Sequence, residues 1–340
     1  MSDFAVEKPY APRRLEDMYL DDWPPILSTR RDGLPPHVSP SQLKQFARCP
    51  EQFRRVRVLG EREPPSAAIL WGSADHSTME ANFRHKLNHA EDLPIGDVQY
   101  RFAELLEQRV EREGGIYEVK WGKETDAVKE PTGADARKAF GSVKDRGVAL
   151  VTAYRQQVAP EFWPTRVEHD FLVDVTGLPV PLAGVIDAEG KTIPEQLALE
   201  HGPDVIDVEP EIIERKTTGK TDMNGEWLIQ ARTYQLVVPR RLQFHLSVKP
   251  RELKDGSYGS SKIVAGDPPG TPEAERRFSF DPQPAPMVAT QIKRLMAGIA
   301  YCFHTYGPDQ PWPDAIPHPW SCGYCGFRPT CPWWNGSAWA

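Results

Sequence analysis

The chain has 340 residues, 39% of them hydrophobic, enough for one large core or two modest ones. A formal net charge of −7 excludes a protein whose overall field recruits nucleic acid, so such a partner would need a local basic groove. No apolar run reaches the length of a membrane span and residues 1–14 lack a secretory apolar stretch, so a cytoplasmic, reducing location is expected, with the five cysteines acting as ligands or plain thiols.

Residues 1–38 are rich in proline and charge and are expected to form an irregular N-terminal arm. A helix then starts sharply: Ser39 suits the cap, Pro40 the first helical position, and Gln42 completes a capping box. Leu43, Phe46 and Phe53 fall near one face of this segment, and Pro50 predicts a break after Cys49. Helical patterns follow at 67–90, which carries Gly72 and His76, and at 97–112 and 134–158, with 113–133 as a connector. The period then changes: 169–175 and 180–188 read as strands around a Thr176-Gly177 turn, 189–208 as an insertion at the hairpin tip, and 211–216 as a third strand. A helix is predicted over 227–238, a strand over 242–248, a long loop with a short strand near Phe278 over 250–286, and a helix over 287–306. An irregular tail follows from Gly307. This order predicts an α/β (α+β mixed) fold, a mixed central sheet flanked by helices with an N-terminal helical subregion. Residues 39–340 then form a single domain, with a helical part at 39–160, a sheet core at 161–286 and a cysteine-bearing region at 287–340.

The chemistry centres on Asp187, Glu214 and Lys216. Residues two apart on a strand share a face, so Glu214 and Lys216 converge while Arg215 points away. Asp187 is expected at the end of the preceding strand, able to meet them across the ladder. Carboxylates on adjacent strands suit a hard cation, Mg²⁺ or Mn²⁺, that binds a phosphate oxygen and activates water. The lysine would orient that water or offset charge on phosphorus. The plainer reading of Glu214 and Lys216 alone is a surface ion pair. Gln230 and Tyr234, four apart, share one helical face, and both can hydrogen-bond a nucleic-acid backbone. Gly72, four before His76, would permit close helix approach, and the imidazole could be a third ligand.

In this order the motifs G-x-x-x-H (Gly72, His76), G-x-x-D (Gly184, Asp187), E-x-K (Glu214, Lys216) and Q-x-x-x-Y (Gln230, Tyr234) resemble the RecB-like and Cas4-like branch of the PD-(D/E)XK nucleases. The resemblance implies a restriction-endonuclease-like core and a metal site of His76, Asp187, Glu214 and the backbone carbonyl of Arg215. It implies Lys216 as catalytic lysine and Gln230 and Tyr234 in contact with substrate. The activity implied is a Mg²⁺- or Mn²⁺-dependent deoxyribonuclease, an exonuclease on DNA ends or single strands, in repair, recombination or phage- or CRISPR-type processing. The alternative is a non-catalytic Cas4-like DNA-binding or assembly module. Two GKT triplets, at Gly190 and Gly219, lack the glycine that a phosphate-binding loop requires, so the protein is expected to act without its own motor or to borrow one from a separate helicase or recombination protein.

Cys322, Cys325 and Cys331 form C-x2-C-x5-C near the C-terminus, and Cys49 stands far upstream. Closely spaced cysteines let one loop wrap a metal, and a distant fourth ligand would clip the two ends of the domain together. The same resemblance implies a 4Fe–4S cluster on these four thiols; Zn²⁺ is the alternative, since the ligands alone do not choose the metal. Cys302 reads as a buried core thiol. Arg48, Arg54, Arg55 and Arg57 could grip phosphate or form a solvated face, and Lys220, Arg232, Arg240 and Arg241 could line a groove. Trp312, Trp320, Trp333, Trp334 and Trp339 frame the cysteine tail, where covering a cluster is favoured over stacking bases.

Overall fold

A computed structural model of the chain describes residues 35–62, 65–121, 133–219, 221, 225–250, 259–267, 271–313, 322 and 325–335. Most of the N-terminal arm, Lys220, Trp320 and Trp339 lie outside these residues.

Helix α1 (Pro40–Arg48) starts as its sequence predicts: the Ser39 hydroxyl accepts from the Gln42 N–H, and the Gln42 side chain accepts from the Ser39 N–H at 2.7 Å. It ends at an extended Cys49, and Pro50 opens α2 (Pro50–Phe53), which runs into a π-helical turn at Arg54–Val58. Three longer helices follow: α3 (Ala67–His89), α4 (Ile95–Arg112) and α5 (Gly133–Gln157).

The sheet has the order β1 (Phe162–Val173), β2 (Leu182–Thr192), β3 (Glu211–Thr218), β4 (Leu242–Val248), β5 (Lys262–Ala265), with β6 (Ser279–Phe280) also paired to β4. Among the named strands of the described residues, β3 and β4 are the parallel pair; helix α7 (Glu226–Val237) makes the crossover between them. Strand alternation splits the apolar residues between two cores. Ile212, Phe244 and Leu246 face α1, α7 and α8 (Ala285–Tyr306), while Ile213, Phe162 and Val167 face α3, α4 and α5. The expected mixed sheet between helical layers is therefore present. Cys302 is buried in the first core, as its setting in an apolar helix predicts.

Three stretches differ from expectation. Strand β1 starts at Phe162, seven residues before the expected start at His169. Residues 189–208 are not simply a hairpin-tip insertion: β2 runs on to Thr192, paired to Phe162, and a short helix α6 (Glu195–His201) follows. The sequence Glu189-Gly190-Lys191-Thr192 hides this because a charged residue, Glu189, is buried there against His169 and Arg240. Within 250–286, β5 is a four-residue edge strand whose half-exposed residues carry almost no periodic signal.

Candidate metal centre

The site sits where two antiparallel strands part. Gly190, Glu189 and Ala188 of β2 pair with Glu211, Ile212 and Ile213 of β3. The next pair in register would be Asp187 with Glu214, and there the ladder stops. Asp187 thus lies within β2, not at its end. Instead of a ladder bond, the backbone N–H of Arg215 donates to Oδ2 of Asp187 at 2.9 Å. A cleft of about 670 Å³ opens at this fork, lined by α1, α3, β1, β2, β3 and α7.

On one side of the fork, Nε2 of His76 lies 3.1 Å from Oδ1 of Asp187 and 3.4 Å from Oε1 of Glu168. His76, Glu168 and Asp187 offer ligand atoms all within 4.8 Å of one another. Glu168 was not foreseen from sequence. It falls one residue before the predicted start of β1, between the pairs Val167–Ala188 and His169–Ile186, and so opposes Asp187. Its backbone is left-handed, with φ of 49°. A non-glycine residue held in that region marks a conformation imposed by its surroundings.

On the other side, Oε1 of Glu214 accepts from Nζ of Lys216 and from Nε2 of Gln230, the latter at 2.9 Å. The same Gln230 nitrogen lies 2.9 Å from the Tyr234 hydroxyl. All four predicted residues therefore meet, and the Glu214–Lys216 pair forms at a buried carboxylate rather than on the surface. Glu214 stands outside the close trio of His76, Glu168 and Asp187. Arg215, expected through its carbonyl, touches Asp187 through its N–H.

The electrostatics suit a bound cation. Burial and the Asp187 charge push Glu214 up to about 7, against the pull of Lys216. Burial, then Asp187 and Glu80, push Glu168 up to about 8. Oε1 of Glu168, Oε2 of Glu214 and Oε1 of Gln230 are buried without a hydrogen-bond partner. Unsatisfied carboxylate oxygens at crowded carboxyls are the donors a hard divalent ion takes, so the residues present fit one. Lys44 of α1 also enters this field unforeseen; burial and Lys216 press its ammonium down to about 8.

The two motif glycines differ. A Cβ at Gly184 would come within 2.8 Å of the Phe171 ring and 3.2 Å of Pro40, so only glycine fits beneath α1. At Gly72 the nearest atom would be Thr217 Cβ at 4.0 Å, an ordinary contact, so close helix approach does not require that glycine.

A model of the PD-(D/E)XK nuclease superfamily matches residues 37–332. The chain belongs to that superfamily. No curated protein matches it significantly. Superfamily membership supports a metal-dependent nuclease, and the carboxylate-rich cleft at the fork has chemistry that suits a divalent cation.

The cysteine region of this nuclease packs against α1 and α2. Arg55 donates to the Thr330 hydroxyl at 2.7 Å and to its carbonyl at 3.1 Å, and its guanidinium lies 5.1 Å from the centre of the Phe327 ring. Trp312 is fully buried, stacked on Phe53 with centroids 6.0 Å apart. Its N–H donates to buried Glu51, and its carbonyl accepts from Trp333 Nε1, each at 2.8 Å. These contacts bring the segment holding Cys325 and Cys331 onto the helix that Cys49 caps. Trp312 is thus a core residue. The basic residues are internally engaged: Arg54 with Glu51, Arg57 with Gln45, Arg48 with Gln52, Arg232 with Asp281, Arg240 with Glu189 and Arg241 with Glu211. Among the described residues no helix is long and apolar enough to cross a membrane.

Proposed function

We propose that the chain is a Mg²⁺- or Mn²⁺-dependent deoxyribonuclease acting as an exonuclease on DNA ends or single strands. The observation that carries this reading is the fork itself: Asp187, Glu168 and His76 on one side, Glu214 and Lys216 on the other, with unpaired carboxylate oxygens between. His76, Asp187, Glu168 and Glu214 would hold the cation, with the Arg215 carbonyl as a further oxygen. When bound, such an ion supplies a Lewis acid for a phosphate oxygen and a water of lowered pKa. The protein's part is positional. Lys216 keeps an ammonium beside Glu214, where it can donate to a phosphate oxygen or hold the attacking water. Gln230 bonds both Glu214 and Tyr234, placing the Tyr234 hydroxyl toward the cleft where a backbone would pass.

The same reading includes a 4Fe–4S cluster on Cys49, Cys322, Cys325 and Cys331, acting as a clasp. Its support is the docking of the tail on the Cys49 helix through Arg55 and Trp312. The setting proposed is a reducing, cytoplasmic one, with DNA as partner and a separate helicase or recombination protein supplying any motor.

The test is cleavage of end-labelled single- and double-stranded DNA with Mg²⁺ or Mn²⁺. Wild type should shorten labelled ends progressively, and Asp187→Ala and Lys216→Ala should each lose at least about 100-fold in rate. Full activity in both variants would reject the mechanism. Anaerobically purified protein should carry iron and sulfide; zinc in their place would reject the cluster.

A further inference from the structure

Strand β3 turns Arg215 to the face opposite Glu214 and Lys216, and both Arg215 and Asp75 border the cleft. Arg215, between Glu214 and Lys216, points into the α3–α5 core and is almost wholly buried. Its Nη2 donates to both carboxylate oxygens of Asp75, at 3.2 and 3.1 Å, and its Nη1 to the Asp75 carbonyl at 3.3 Å. The Thr217 hydroxyl adds a donation to Asp75 at 2.7 Å. The guanidinium lies 4.2 Å from the centre of the Tyr154 ring, whose hydroxyl meets Nδ1 of His245 at 2.7 Å. Asp75 is the neighbour of His76 in α3, and the Arg215 N–H is the group that holds Asp187.

We propose that the Asp75–Arg215 pair is a positioning brace that sets His76 against Asp187 and Glu168, and so fixes the affinity of the centre for its divalent cation. This rests on the nuclease reading above. The pair is a poor choice for cohesion alone. Two charges taken from water recover little net stability, and apolar residues of similar volume often serve as well or better. Nε of Arg215 is buried with no partner, a further cost. What the pair supplies is registry. Apolar contacts let a helix slide on a sheet by a fraction of an ångström at little cost; a forked, charge-assisted contact does not. A ligand set tolerates only about 0.5 Å of misplacement, so the anchor one residue from His76 matters to the centre.

The experiment measures Mn²⁺ binding to metal-free protein by calorimetry, beside thermal melting without metal. Wild type should bind Mn²⁺ and Asp187→Ala should not. Arg215→Met should fold yet bind Mn²⁺ about 10- to 100-fold more weakly, the loss typical when a residue behind a metal ligand is removed. Arg215→Lys, which keeps the charge but not the fork, should also bind more weakly while melting near wild type. Adding Asp75→Asn to Arg215→Met should weaken binding little further, because both changes break one contact. Should Arg215→Met fail to fold, Arg215→Lys decides. Folded Arg215→Lys with wild-type Mn²⁺ affinity overturns the brace and leaves the nuclease reading standing. Wild type without a Mn²⁺ site overturns both.

Discussion

Asp187 and Arg215 meet side chain to backbone: Oδ2 of Asp187 takes the Arg215 N–H at 2.9 Å, where β2 and β3 would otherwise share a ladder bond. That substitution ends the pairing without leaving the N–H unsatisfied. It also divides the carboxylate, with Oδ2 committed to the fold and Oδ1 turned to His76.

The division predicts that structure and chemistry separate at this residue. Asp187→Asn can keep an oxygen on the Arg215 N–H while losing the charge. It should melt within a few degrees of wild type and lose nearly all cleavage. Asp187→Ala orphans a buried N–H and should cost in addition about 1–3 kcal/mol by urea unfolding. Equal stability of the two variants would show that the bond does not hold the fork.

The raised carboxyls predict an unusual pH dependence. Glu214 at about 7 and Glu168 at about 8 both lie above their ordinary 4.5. Between the ordinary and raised values the folded state holds protons that the unfolded chain has released. Their contribution to stability is therefore full below about pH 4.5 and is lost as pH rises through 7 to 8. Metal-free protein should melt lower at alkaline than at mildly acidic pH. Mn²⁺, which takes the ionised forms, should raise the melting temperature more at alkaline pH. Glu168→Gln should flatten the metal-free decline, shrink the Mn²⁺ shift and slow cleavage. A metal-free melting temperature that climbs with pH would contradict the crowding of these carboxyls.

The glycines Gly184 and Gly72 should respond oppositely to alanine. Gly184→Ala forces a methyl against Phe171 and Pro40, and overpacking of this kind costs about 1–3 kcal/mol. Gly72→Ala meets only Thr217 at 4.0 Å, inside helix α3, where alanine is preferred by about 1 kcal/mol. Chemical denaturation of both variants checks this, and a stable Gly184→Ala would show that α1 can lift from β2.

These residues also mark how far the sequence alone reaches. Glu214 and Lys216 were legible because a strand puts positions two apart on one face, and Gln230 and Tyr234 because a helix does so for positions four apart. Capping chemistry at Ser39 and Gln42 gave the start of α1 to the residue. Glu168 was not legible: its left-handed backbone breaks the alternation that would have marked it as part of β1. Nor was Arg215–Asp75, since the pairing of residues facing away from a motif depends on which helix covers that face of the sheet. The extension of β2 was hidden by Glu189, a charge that is buried only because His169 and Arg240 reach it from other strands and loops.

The attachment of the cysteine tail turns on Glu51. Its buried carboxylate takes Nε and Nη2 of Arg54 at 2.8 and 2.6 Å, Nε of Arg55 at 3.3 Å and the Trp312 N–H at 2.8 Å. Glu51→Gln keeps an acceptor for Trp312 but removes the charge facing a buried guanidinium. Breaking one side of such a pair costs about 3–5 kcal/mol, because the remaining charge stays out of water. The variant should unfold at markedly lower urea and expose the tail to protease sooner. Its Mn²⁺ affinity should remain near wild type, since Glu51 does not line the fork. A loss under about 1 kcal/mol, the range of exposed ion pairs, would mean that stacking of Trp312 on Phe53, and not Glu51, holds the tail in place.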